Sequence, residues 1–88
     1  MIIYEIRILD EAVRDLKRLD KSVGRRIVRK ISWLAENLEN INKEQLCGNL
    51  SDFYKFRVGA YRVLYQVLED ELILLIHHIG HRREIYRQ

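Results

Sequence analysis

Two hydrophobic periods run through this chain, and their order leaves few folds open. Side chains alternate across a strand but return to one helix face every three to four residues. Ile2 to Ile8 alternates, with Ile2, Tyr4, Ile6 and Ile8 set against Ile3, Glu5 and Arg7, as a strand with one buried face does. Asp10 is placed to cap a short helix running to about Leu19, with Ala12, Val13, Leu16 and Leu19 as its apolar positions. Asp20 is placed to cap a longer helix whose inner stripe is Val23, Ile27, Ile31, Leu34 and Leu38, widened by Val28 and Ala35. Arg25, Arg26, Arg29 and Lys30 lie largely off that stripe, and Trp33 lies at its edge. The helices follow each other so closely that an antiparallel hairpin or a sharp bend is expected. Residues 40–52 read as a loop. Alternation then resumes in three segments, about 53–58, 61–68 and 72–79, with turns at Val58-Gly59-Ala60 and Glu69-Asp70-Glu71. The order β-α-α-β-β-β predicts an α+β fold, a mainly antiparallel sheet with the helical hairpin packed on one face.

Composition narrows the class. Eighty-eight residues, 48% hydrophobic and 33% charged, suit a single globular domain over 1–88 with one modest core. One cysteine, Cys47, cannot form an internal disulfide, so a reducing cytoplasm is the expected compartment. The apolar runs are strand-length, and MIIYEIRILDE lacks the charged region and cleavage site of a signal peptide; no membrane partner is expected. The net charge is +3, and its placement says more than its size. Residues 1–52 carry 10 cations against 9 anions, whereas residues 53–88 carry 6 against 4. That excess suits a phosphate-rich partner, or a small solvated tail.

Lys55 and Arg57 share the strand face opposite Tyr54, Phe56 and Val58, and Arg62 lies opposite Tyr61, Val63, Tyr65 and Val67. Arg82, Arg83 and Tyr86 follow in the last eight residues and can be brought towards them. Cleavage of an RNA phosphodiester by its own 2′-hydroxyl needs a base, cations for the phosphorane charge and an acid for the leaving 5′-oxygen. Arginine suits bidentate phosphate contacts, lysine a point charge, and tyrosine a stack on a base. The same cations also fit the solvated face of a sheet. His77, His78 and His81 do not make a metal site by pattern, because adjacent strand residues face opposite sides and no further ligand stands close by. His81, at the end of the last strand, has the chemistry of a general base at neutral pH. Nothing in the sequence places a histidine beside Cys47 to make it a nucleophile. No phosphate loop, dinucleotide fingerprint, zinc motif or serine elbow is present, and no cofactor is implied.

The stretch LCGNLSDFYKFRVGAYRVLYQVLEDELILLIHHIGHRREIYR resembles the RelE family of toxins from toxin–antitoxin systems, within the RelE/ParE superfamily. The likeness extends over nearly the whole chain, and YKFRVGAYRVLYQV and GHRREIY are its specific parts. It implies a RelE-like toxin domain that acts as a ribosome-dependent mRNA endonuclease, cutting the codon in the decoding site by metal-independent 2′-hydroxyl attack. It further implies a cognate RelB-like antitoxin as partner, with the ribosome and mRNA as targets and operator DNA reached only through the antitoxin. On this resemblance Lys55 and Arg62 stabilise charge at the scissile phosphate, Arg82 assists the leaving group, and Tyr86 stacks on or orients the substrate. Arg83 and Arg87 are expected to contact RNA.

The resemblance also has departures. Arg57 stands where some relatives place a lysine proposed as base, and arginine holds its proton too tightly for that role. The base would then come from Lys55, His81, ribosomal RNA or water. Cys47 stands where relatives often carry a basic residue. So small a site grips phosphates but reads few bases, so weak cleavage of free RNA is expected. Two other readings stay open: a ParE-like inhibitor of DNA gyrase, and a non-catalytic co-repressor or binding module.

Overall fold

The computed structural model describes residues 2–41, 44–45 and 53–81. Its elements run β1 (Glu5–Ile8), α1 (Asp10–Lys17), α2 (Lys21–Asn37), β2 (Glu44–Gln45), β3 (Tyr54–Val58), β4 (Tyr61–Leu68) and β5 (Ile73–His81). The strands form one sheet in the order β1-β5-β4-β3-β2. β5 pairs antiparallel with β4 and parallel with β1, so the first strand lies beside the last. The expected α+β order is present, with one addition. Within the expected loop, Glu44 and Gln45 pair with Lys55 and Tyr54, a two-residue edge too short to carry a hydrophobic alternation.

Both helices cover one face of the sheet. Ala12, Ile27, Ile31, Leu34, Ala35 and Leu38 meet Val58, Val63, Tyr65, Leu74, Ile76 and Ile79 in the core. The period-3.6 stripe of α2 is therefore the buried one, as its spacing predicts. Val28 departs from that expectation and is 44% exposed. It sits on the side of α2 towards α1, where Leu16, Leu19, Gly24 and Val28 line a shallow groove, and the small α1 does not reach across to cover it.

The junction between β1 and α1 also differs from the sequence reading. Asp10 is the first helical residue and Leu9 is the cap, without a side-chain capping bond. The Leu9 N–H donates to the Ile76 carbonyl at 3.0 Å, while the Leu9 carbonyl accepts from Val13 N–H at 3.0 Å. Leu9 thus ends the parallel ladder and starts the helix at once. Asp10 remains favourable in the first turn, where carboxylates meet the positive end of the helix.

The two meander turns are built differently. Gly59 has φ 60°, the first central position of a type II′ hairpin turn. A Cβ there would also lie 2.8 Å from Arg26 Nη2, a mobile side-chain end that can shift, so it is the positive φ that favours glycine. At the other turn Leu72, expected within a strand, has φ 56° and is 42% exposed. Its carbonyl accepts from Glu5 N–H at 2.8 Å, a contact that starts the pairing of β1 and offsets a backbone conformation costly for a non-glycine residue.

β5 contains a bulge. Leu64 pairs with His78 but Tyr65 pairs with Ile76, so one residue of β5 is skipped. Extra residues of this kind leave ladder groups unpaired. The skipped residue is His77; beyond it Ile79, opposite Val63, donates its N–H to Asp15 Oδ2 of α1, at 3.0 Å. Asp15→Ala leaves that partly buried donor unsatisfied and is expected to destabilise the fold by about 1–3 kcal/mol, whereas Asp15→Asn, which keeps an acceptor, costs less. Urea unfolding checks this through the midpoint at constant m; an alanine variant as stable as the parent sinks the assignment.

Candidate functional site

The sheet face turned away from the helices carries the cations that the sequence singled out. Register sets Arg57 of β3 directly across from Arg62 of β4, and Arg62 directly across from Gly80 of β5. Lys55 pairs with Leu64, two residues further from the β3–β4 turn. Arg57 is exposed and Lys55 half-buried, whereas Arg62 is only 5% exposed. Arg62 is therefore not part of a solvated face. Its Nη1 donates to the Tyr61 carbonyl at 3.2 Å, and the glycine opposite contributes no side chain to compete for the space. A buried guanidinium keeps its charge and meets an anion with little intervening water, which strengthens the attraction.

His81 lies elsewhere. It pairs with Tyr61 and meets that ring edge-on, with centroids 5.8 Å apart. Alternation puts Tyr61 on the helix side, so His81 is on the face opposite Arg57 and Arg62. It borders a cleft of about 370 Å³ shared with Asp15, Arg18, Leu19, Tyr61, Ile79 and Gly80. Arg82, Arg83, Tyr86 and Arg87 lie outside the described residues, as does Cys47. The strand that leads to Arg82 ends beside Arg62.

The adjacent histidines diverge at the bulge, where His77 is skipped in the pairing. His77 joins a second apolar cluster on the far face: Phe53 packs edge-on against its ring at 4.6 Å, and Gln66 Oε1 lies 2.7 Å from Nε2. Leu64, buried against Phe53, completes that cluster. His78 turns to α1, with Nε2 3.0 Å from Glu11 Oε2 and Nδ1 3.7 Å from Asp15 Oδ2. The sequence reading missed this α1 contact, because helix–strand register is not encoded in either element alone. Among the described residues no group of three or more metal-ligating side chains converges, and no helix is long and apolar enough to cross a membrane.

Comparison with known proteins places this geometry. The family described as ParE toxin of type II toxin–antitoxin system, parDE, matches residues 6–86. The chain belongs to the RelE/ParE superfamily, the toxins of type II toxin–antitoxin systems. A relative from Methanocaldococcus jannaschii, named as a candidate toxin RelE1, is 30% identical over 87 residues, 96% of each chain. Among solved structures, the RelBE2 toxin–antitoxin complex from Mycobacterium tuberculosis contains a chain that shares the fold, with TM-score 0.83 and 24% identity over 92% of this chain and 100% of that one. The archaeal RelE–RelB complex from Pyrococcus horikoshii gives TM-score 0.72 and 26% identity, covering 92% and 97%.

Burial is the main cause that lowers the His77 pKa below its usual 6.5; His78 lowers it further and Glu11 opposes them. The unfolded chain therefore binds this proton more readily than the folded one. Stability from this residue is complete above pH 6.5 and falls as acid takes the pH below that value. His77→Gln is expected to flatten the pH dependence of the urea midpoint below this point; an unchanged slope rejects His77 as its source.

Proposed function

We propose that the protein is a ribosome-dependent mRNA endonuclease that arrests translation and is held inactive by a RelB-like antitoxin. The observation carrying this reading is the buried Arg62 in register between Arg57 and Gly80, at the end of β5 from which the chain continues to Arg82. In this reading Lys55 and Arg62 stabilise the phosphorane, Arg82 assists departure of the 5′-oxygen, and Tyr86 orients the substrate. Arg83 and Arg87 add phosphate contacts. Arg57 supports charge and not proton removal, so Lys55 or a ribosomal group takes the 2′-hydroxyl proton. His81, on the other sheet face, is the weaker choice of base. The ribosome supplies orientation of the strand, which so small a site does not provide alone. The antitoxin partner is supported by solved complexes of RelE toxins with RelB proteins that share this fold. The target places the activity in the cytoplasm, in one toxin domain over 1–88.

The match to the ParE family model favours a second reading, inhibition of DNA gyrase, which needs none of the phosphate-gripping residues.

In-vitro translation with primer extension tests the first reading. Wild-type protein is expected to cut within codons only when ribosomes are present. Arg57→Ala, at an exposed position, and Arg62→Gln, checked for folding by circular dichroism, should each slow cutting by about a hundredfold, the usual scale for losing one charge-stabilising donor. Comparable cutting of naked mRNA contradicts the ribosome requirement. Translation without cuts, together with blocked gyrase supercoiling, establishes the second reading instead.

A further inference from the structure

The edge of α2 that faces β3 carries a feature that the proposed catalytic set does not use. Trp33 is 45% exposed, yet its ring is fixed: it lies nearly parallel to Phe56 of β3, at 11° and 6.1 Å between centroids. Arg26 and Lys30 precede Trp33 by seven and three residues, so all three share one side of the helix, with Arg29 beside them. Arg26 extends that line beyond the helix, because its guanidinium lies over Gly59 in the β3–β4 turn. Arg57 stands just before that turn, in register with Arg62. An aromatic platform and a row of cations thus lie on the helix side of β3 and reach the β3–β4 turn, around which the surface passes to Arg57 on the opposite sheet face.

Among the described residues the charge on this edge is uncompensated. Between Lys21 and Asn37 the helix has five cations and one carboxylate, Glu36. Among the described residues, no carboxylate makes an ion pair with Arg26, Arg29 or Lys30. Arg26 and Lys30 are one helical turn apart, about 6 Å along the axis, a step that suits successive phosphates of an extended strand. The opposite edge of α2 has no aromatic: it lines a groove in which Leu16, Leu19 and Val28 stand among Lys17, Lys21, Arg25 and Arg29. The Trp33 edge offers one aromatic and no apolar stripe, which is poor footing for a partner helix and good footing for a base with phosphates on either side.

We propose that Trp33, Arg26 and Lys30 form a binding track for single-stranded RNA, with a base stacked on Trp33 and the backbone running over Arg26 towards Arg57. The track rests on the reading of the protein as one that engages RNA, and not on its cutting it.

Trp33 is the only tryptophan, so its fluorescence reports the platform directly. The experiment titrates the full chain with a short, labelled 2′-O-methyl RNA, which lacks the attacking hydroxyl, and follows both tryptophan emission and label anisotropy. Saturable quenching is expected in step with the anisotropy change. Trp33→Ala should weaken binding about tenfold, within the range for losing one base stack. Arg26→Ala with Lys30→Ala should lower the slope of log affinity against log salt by roughly 1.4, about 0.7 for each phosphate no longer neutralised. Absence of binding, binding without quenching, or equal affinity in Trp33→Ala overturns the track. Equal quenching by poly-glutamate also overturns it, and assigns the edge to an acidic protein. Quenching in a protein that cuts no mRNA during translation keeps the track and removes the endonuclease; cutting without quenching does the reverse.

Discussion

The pairing of β5 on both sides is the constraint from which the remaining architecture follows. β5 is hydrogen-bonded to β1 along one edge and β4 along the other, so its two faces are fixed by its neighbours. One face supplies Leu74, Ile76 and Ile79 to the core beneath the helices. The Ile76 carbonyl receives Leu9, the residue that converts β1 into α1, so the position of the first helix is set by the middle of the last strand. The bulge that follows lets His78 turn to α1 while Ile79 still packs inward, and Asp15 of α1 accepts from the Ile79 N–H. Strand, helix and ladder defect are thus one structural unit.

That unit determines where the candidate site lies. Arg62 is buried next to Gly80 because the β4–β5 register beyond the bulge brings an unsubstituted position opposite it. One residue of slippage would exchange the faces of the strand end. His81 would then stand beside Arg62, and Tyr61 would lose its edge-on neighbour. The cation arrangement on β3 and β4 is consequently a product of backbone register as much as of side-chain identity.

Much of this was legible in the residues themselves. The alternation of Tyr54, Phe56 and Val58 against Lys55 and Arg57 gave the correct faces, and the stripe from Ile27 to Leu38 gave the buried side of α2. The unreadable parts share a physical cause: they depend on contacts between elements distant in sequence. Burial of Arg62 depends on Gly80, and the turn of His78 towards Glu11 depends on where α1 lands. Leu9 displaces Asp10 as cap because Ile76 claims its N–H. Trp33 looked like an ordinary half-buried edge residue until Phe56 fixed its plane. The superfamily was readable from local motifs, whereas the face occupied by His81 required the register.

The parallel pairing of Glu5 with Ile73 also has a consequence in time. The two strands are separated by most of the chain, and contacts so remote in sequence close late and slowly. Since β5 lies between β1 and β4, neither neighbour can dock into the finished sheet until residues 73–81 have been made. A growing chain therefore holds helices and a partial meander, but not the surface on which Arg62 is buried. For a protein whose proposed target is the ribosome, the topology delays competence until β5 itself has been synthesised.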